Sequence, residues 1–241
     1  MGREIIERLI NYWRKTFFLE PFLILLLIFC LIIGLLHHHK NKERILFTIY
    51  FLSGVILFIP TAVIVSFKSL IGKQLMIYQE VGNTFFELTE FLAFYFFFKE
   101  SLQNHKYQKY FRTAFCILLV SIGIFFIGLT FPTYKAEDIR LHSLVINAIE
   151  FFFLFILCLT YFRKLFTDAP TKNLFKRPSF LIVTSTFFYS ILMIPFFLIA
   201  ADLFISEIVI YQTLFACHYI LLMILLFSIS KAFLCKIPIT T

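Results

Sequence analysis

Two carboxylates three residues apart, Glu87 and Glu90, lie in the stretch Tyr78–Lys99 (YQEVGNTFFELTEFLAFYFFFK), which is otherwise apolar enough to cross a bilayer. An ionised side chain at membrane depth costs roughly 2.5 to 3.5 kcal/mol on insertion scales, so a spanning helix keeps one only with an interior partner or a role. At about 100° per residue, Glu80, Asn83, Glu87 and Glu90 share a wedge of about 80°, while Phe85, Leu88 and Phe96 cover other directions. A second apolar run repeats the theme, with Asn147-Ala-Ile-Glu150-Phe151 echoing Glu87-Leu-Thr-Glu90-Phe91. A third places His218 at comparable depth, with Tyr211 one heptad earlier on the same face. Asn83, Glu87, Glu90, Asn147, Glu150, Tyr211 and His218 are therefore the candidate ligand- or ion-pathway residues.

If Glu90, Glu150 and His218 converge, several chemistries open. Interior carboxylates can load and release protons, as a relay or a proton-coupled carrier requires. A polar pocket between the third, fifth and seventh helices can bind a small or lipidic ligand. Two carboxylates with an imidazole form a borderline donor set suited to Zn, Fe or Mn. The structural alternative is that the acids hydrogen-bond Asn83, Asn147, Thr or Tyr side chains across helices and hold the bundle together.

The elements that must position these groups follow from composition. Of the 241 residues 61% are hydrophobic, 20% aromatic and only 15% charged, against about 25% charged in soluble domains. Mean hydropathy is +0.91. Polar residues gather in short clusters between runs of about 20 apolar ones, the pattern of a polytopic membrane protein. Residues 1–18 alternate Ile5, Ile6, Leu9, Ile10, Trp13 and Phe17 with Arg3, Glu4, Glu7, Arg8, Arg14 and Lys15, as in an interfacial amphipathic helix. A secretory signal does not fit, because the apolar run Phe22–Leu36 ends in His37, His38, His39 and Lys40 without a small-residue cleavage site. Further spans are expected at Ile45–Phe67, Tyr78–Phe98, Thr113–Phe131, Leu141–Phe162, Phe180–Ala200 and Ile205–Ser230. The fold class expected is thus all-α: seven transmembrane helices over residues 19–230 and a short cytoplasmic tail, 231–241. Pro60 and Pro195 fall inside helices two and six, where kinks are expected.

The net charge of +8 and pI near 9.3 come from Lys and Arg in the connecting clusters, so nucleic acid is not an expected partner. Eight of the 22 lie at the N-terminus and in even-numbered loops, and fourteen in odd-numbered loops and the C-terminus. That bias orients the N-terminus outside and the C-terminus inside, although the four basic residues of the N-terminal segment pull the other way. Within the third and fifth loops, Lys106, Lys109, Arg112, Arg163, Lys164, Lys176 and Arg177 are candidates for contact with anionic lipid or a cytoplasmic protein partner.

Searches for other chemistry are unrewarding. No GxSxG, HExxH or intrahelical His pair at four-residue spacing occurs. The His37–His39 triple reads as an interfacial cap. Lys231 sits at the very end of the last helix, not in its middle where a retinal Schiff base would need it, and the membrane lacks paired axial histidines for haem. Cys30, Cys116, Cys158, Cys217 and Cys235 have no paired spacing. No cofactor and no catalytic residues are expected.

Four segments together resemble an uncharacterised family of seven-helix membrane proteins of Bacteroidota-type bacteria. They are Glu87-Leu-Thr-Glu90-Phe91-Leu-Ala-Phe-Tyr-Phe, Asn147-x-x-Glu150, Asn173-Leu-Phe-Lys-Arg-Pro-Ser-Phe180 and His218. An asparagine associated with helix seven, a turn after the His, is missing here, where Leu221–Leu226 is wholly apolar. The resemblance implies the seven-helix fold and residence in a bacterial inner membrane, and brings no established function. The expected function is a non-enzymatic receptor or sensor-like module with a polar intramembrane pocket and a separate cytoplasmic partner. The alternatives are a proton-coupled small-molecule or lipid carrier using Glu87, Glu90 and Glu150, and an intramembrane metal-dependent enzyme built on Glu90, Glu150 and His218.

Overall fold

The computed structural model describes residues 19–37, 42–67, 73–102, 105–131, 136–167, 174, 177–206 and 208–234. The proposed interfacial helix at 1–18 and the tail from 235 lie outside them, as do His38, His39 and Cys235. The described chain is all-helical: α1 (Leu19–His37), α2 (Lys42–Phe67), α3 (Lys73–Leu102), α4 (His105–Leu129), α5 (Ala136–Thr167), α6 (Pro178–Ser206) and α7 (Ile208–Leu234). Five contain stretches long and apolar enough to cross a membrane, namely Leu19–Leu36, Arg112–Leu129, Leu141–Thr167, Pro178–Ile199 and Thr213–Leu234. In α2 the apolar stretch among described residues is shorter, Arg44–Pro60. In α3, 30 residues long, Glu87 and Glu90 interrupt the apolar run. Pro60 and Pro195 both sit within continuous helices.

Six helices close into a ring. Helix α1 packs on α2 and on α7, α2 on α3, α3 on α5, α5 on α6 and α6 on α7. Helix α4 lies outside, against α3 and α5, where Ala114, Leu118, Ile122 and Phe125 join Phe91, Ile139 and Ile146 in a separate apolar cluster. The ring's own core is continuous from Leu23 and Leu27 on α1 to Leu225 and Phe233 on α7.

Side-chain contacts order the bundle into layers. At one end, Phe47 meets the edges of Phe94, Phe97 and Phe233 at centroid distances of 5.3, 6.1 and 6.1 Å, and the Arg44 guanidinium lies 5.7 Å over the Phe233 ring. Lys164 of α5 donates to the Ser101 carbonyl at 3.0 Å, placing a cation on the carbonyl end of α3 where the helix dipole favours it. The Tyr161 hydroxyl donates to Ser179 Oγ at 2.9 Å and joins α5 to α6 at the same end. The α1–α7 seam is closed by Ser230, which donates to Cys30 Sγ at 2.8 Å. Many outward-facing positions are apolar, as at Phe22, Leu25, Ile56, Val120, Ile127, Leu198 and Phe227. Side chains of that kind suit lipid tails and not water.

Close approach of α1 and α2 depends on Gly34. A Cβ there would stand 2.5 Å from Thr48 Oγ1 and 3.2 Å from Thr48 Cβ, and the Thr48 hydroxyl is held by donating to the Arg44 carbonyl at 2.6 Å. Gly34→Ala is therefore expected to lower stability by about 1–3 kcal/mol through overpacking. Thermal melting of the detergent-solubilised protein checks this, with Thr48→Ala in the same chain expected to restore part of the loss.

Candidate functional site

The ring interior is polar at mid-depth. Glu87 and Glu90 lie one turn apart on α3 and are buried, as is Glu150 on α5. Glu90 precedes Ser101 by about three turns, roughly 16 Å along the helix, and Glu150 precedes Lys164 by roughly 21 Å. Both acids therefore lie well inside the bundle, away from its basic end.

Helix α2 supplies the first partner. The Tyr50 hydroxyl donates to Glu90 Oε2 at 3.2 Å, and its ring stacks on Phe86 at 4.9 Å. Beside it, Ser53 Oγ and Thr89 Oγ1 are 2.6 Å apart. Since each hydroxyl has one proton, one donates to the other and the second bonds back to its own helix, at Tyr50 O or Phe86 O. These contacts fix α2 against the carboxylate-bearing face of α3.

Glu150 completes the cluster without such help. Its side chain is 0% exposed, and among the described residues neither carboxyl oxygen has a hydrogen-bond partner. It lies within electrostatic range of Glu90 and Glu87. Tyr189 on α6 lies within range of all three acids and takes the edge of Phe151 at 5.0 Å, while Phe151 stacks on Phe197 at 5.5 Å. The Tyr189 hydroxyl is 3.4 Å from His218 Nδ1, which also contacts Met193 Sδ at 3.1 Å. The imidazole is boxed by aromatic rings, nearly parallel to Phe196 at 5.9 Å and close to Phe197, Phe215 and Tyr219.

Of the residues singled out in the sequence, Glu87, Glu90 and Glu150 are brought together, and His218 joins them only through Tyr189. Asn147 is buried but turns back to donate to the Ser143 carbonyl of its own helix at 3.0 Å. Asn83 is half-buried on α3. The side chain of Tyr211 lies outside the described residues. Among the basic candidates, Arg112 and Arg163 are exposed, Arg177 is half-buried, and Lys164 is engaged at the end of α3; the side chains of Lys106, Lys109 and Lys176 are outside the described set. Among the described residues no three of His, Cys, Asp and Glu are grouped so as to hold a metal ion, so Glu90, Glu150 and His218 do not form a coordination site.

Tyr50 and Tyr189 were not among the sequence candidates, although they frame the acids. One signal was available: a tyrosine away from the interfacial belt, in the middle of an apolar run, needs a partner for its hydroxyl. Comparison of the chain with protein-family models, with curated proteins and with solved structures gave no match.

Two substitutions test the arrangement. Tyr50→Phe leaves Glu90 Oε2 without its donor and is expected to cost about 1–3 kcal/mol of stability by thermal melting. Glu150→Gln removes an acid that nothing in the ring compensates. It is expected to leave the melting temperature unchanged or raised, whereas a fall of similar size to that of Tyr50→Phe would mean that Glu150 is a structural tie.

Proposed function

We propose that the protein is a seven-helix integral membrane protein of receptor or sensor-like kind, in which the carboxylates of α3 and α5 form the binding site for a small or lipidic ligand. One observation carries this reading: Glu150 is wholly buried, has no hydrogen-bond partner at either oxygen among the described residues, and lies within electrostatic range of two further acids. Buried polar groups that serve only as ties are hydrogen-bonded, because the low dielectric makes an unmet one costly. A carboxyl kept without a donor amid like groups fits a site completed by something from outside.

In this reading α2 and α3 also span the bilayer of a bacterial inner membrane, preceded by an interfacial N-terminal helix. The N-terminus is outside and the C-terminus inside. Support for the orientation is that Arg44, Lys99, Lys164 and Lys231 all fall at the same end of the ring, as basic residues on the cytoplasmic side do. Exposed Arg112 and Arg163 suit anionic lipid head groups or a separate cytoplasmic protein. The Lys164 bond to Ser101 couples the two carboxylate helices at that end, so a ligand that shifts α3 against α5 has a route to the basic surface.

A carrier is the second reading, favoured by a series of protonatable groups, Tyr50 bonded to Glu90 and Tyr189 close to His218, with Glu150 in electrostatic range of Glu90 and Tyr189. Mass spectrometry of small molecules released from protein purified in native lipid discs tests the first. A specific molecule is expected from the wild type and not from Glu150→Gln, and identical extracts from both would refute the ligand site. The carrier is refuted by proton flux into proteoliposomes that is the same for wild type, Glu90→Gln and Glu150→Gln.

A further inference from the structure

Resting on the ligand-site reading above, we infer that the ligand is an organic cation, an alkyl- or arylammonium, whose head group lies among Glu87, Glu90 and Glu150 and beside the rings of Tyr50, Phe151 and Tyr189. Charge is the first argument. Three acids from two helices lie within electrostatic range of one another in the ring interior, and Glu150 offers two oxygens to which no described residue is hydrogen-bonded. Two of the ring's cations are engaged elsewhere, Arg44 over the Phe233 ring and Lys164 on the Ser101 carbonyl.

Size is the second argument. A metal ion draws its oxygen ligands to within about 2.0–2.6 Å of one point, and among the described residues no such grouping of acids exists. The three acids interact electrostatically without forming a three-donor metal grouping among the described residues, an arrangement open to a larger cation. The walls give the third argument. Tyr50 stacked on Phe86, and Phe151 packed on Tyr189 and Phe197, set aromatic rings around the acids, and ring quadrupoles attract ammonium groups within about 6 Å. Sodium or potassium would need several oxygen ligands, and the backbone carbonyls here are committed to helical hydrogen bonds.

The test uses the full chain in lipid nanodiscs, titrated with butylammonium and phenylethylammonium chloride, with butanol and phenylethanol, and with sodium chloride at equal ionic strength. Thermal unfolding and titration calorimetry are the readouts. Both amines are expected to bind and to raise the melting temperature, while the alcohols and sodium do not. Glu150→Gln is expected to weaken amine binding by at least ~10-fold, as loss of a buried charge partner does. Glu90→Gln serves the same purpose should the first variant fail to give a monodisperse protein. Tyr189→Phe, which keeps the ring, should retain binding, and Tyr189→Leu should weaken it. Alcohols as effective as the amines, stabilisation by sodium alone, unweakened binding in both Gln variants, or no amine binding to the wild type would each overturn the inference. A neutral or anionic molecule released from the purified protein would overturn it as well and leave the ligand-site reading standing.

Discussion

Lipid tails offer a carboxylate neither a donor nor a counter-charge, and three carboxylates of this apolar, helical chain are buried within the helix ring. The consequences reach most of the fold. Helices α3 and α5 turn their acids toward each other and away from the hydrocarbon. Helices α2 and α6 bring Tyr50 and Tyr189 alongside, and α1 and α7 complete the enclosure through the Cys30–Ser230 contact. The outer surface can then be largely apolar, because the acids are gathered inside the ring.

How much of this was legible in the sequence depends on how each residue type signals. Glu87, Glu90 and Glu150 stand out because an acid in an apolar run has almost no bland explanation, and their joint burial agrees with that. His218 stood out for the same reason, yet it is packed as an aromatic among Phe196, Phe197, Phe215 and Tyr219. Neutral imidazole is a flat ring that stacks well, so its presence at depth says less than that of a carboxyl. Tyr50 and Tyr189 were hidden by their company. In a chain with 36 Phe and 11 Tyr, one more ring carries little information until its hydroxyl is seen to have a partner.

The order of helices around the ring was less legible than the helices themselves. Helix ends follow from charged clusters and prolines, so the expected spans and observed helices overlap throughout. Neighbour relations follow from which faces are complementary, and hydropathy blurs those where both lipid and core are apolar. Helix α4 illustrates the difficulty. Its run is as apolar as that of a ring helix, but Ala114, Leu118, Ile122 and Phe125 form a single packing stripe, enough for one groove between α3 and α5. Asn147 shows the limit on a smaller scale, since its spacing from Glu150 matched a shared polar face while its amide is satisfied within its own helix.

The position of α4 also bears on how a mid-depth site could act at a distance. It leaves α3 and α5 in direct contact inside the ring, with their acids facing and no intervening helix. A cation held between the two helices would draw them together, so the α3–α5 spacing is the coordinate on which occupancy would act. At the basic end the same two helices are tied by Lys164 on the Ser101 carbonyl, which makes that end a pivot. Motion about such a pivot is felt by whatever packs across the two helices, and α4 is the element that does so, with the exposed Arg112 near its basic end. A helix excluded from the ring is thus placed where a change in the ring interior would first become a change at the surface.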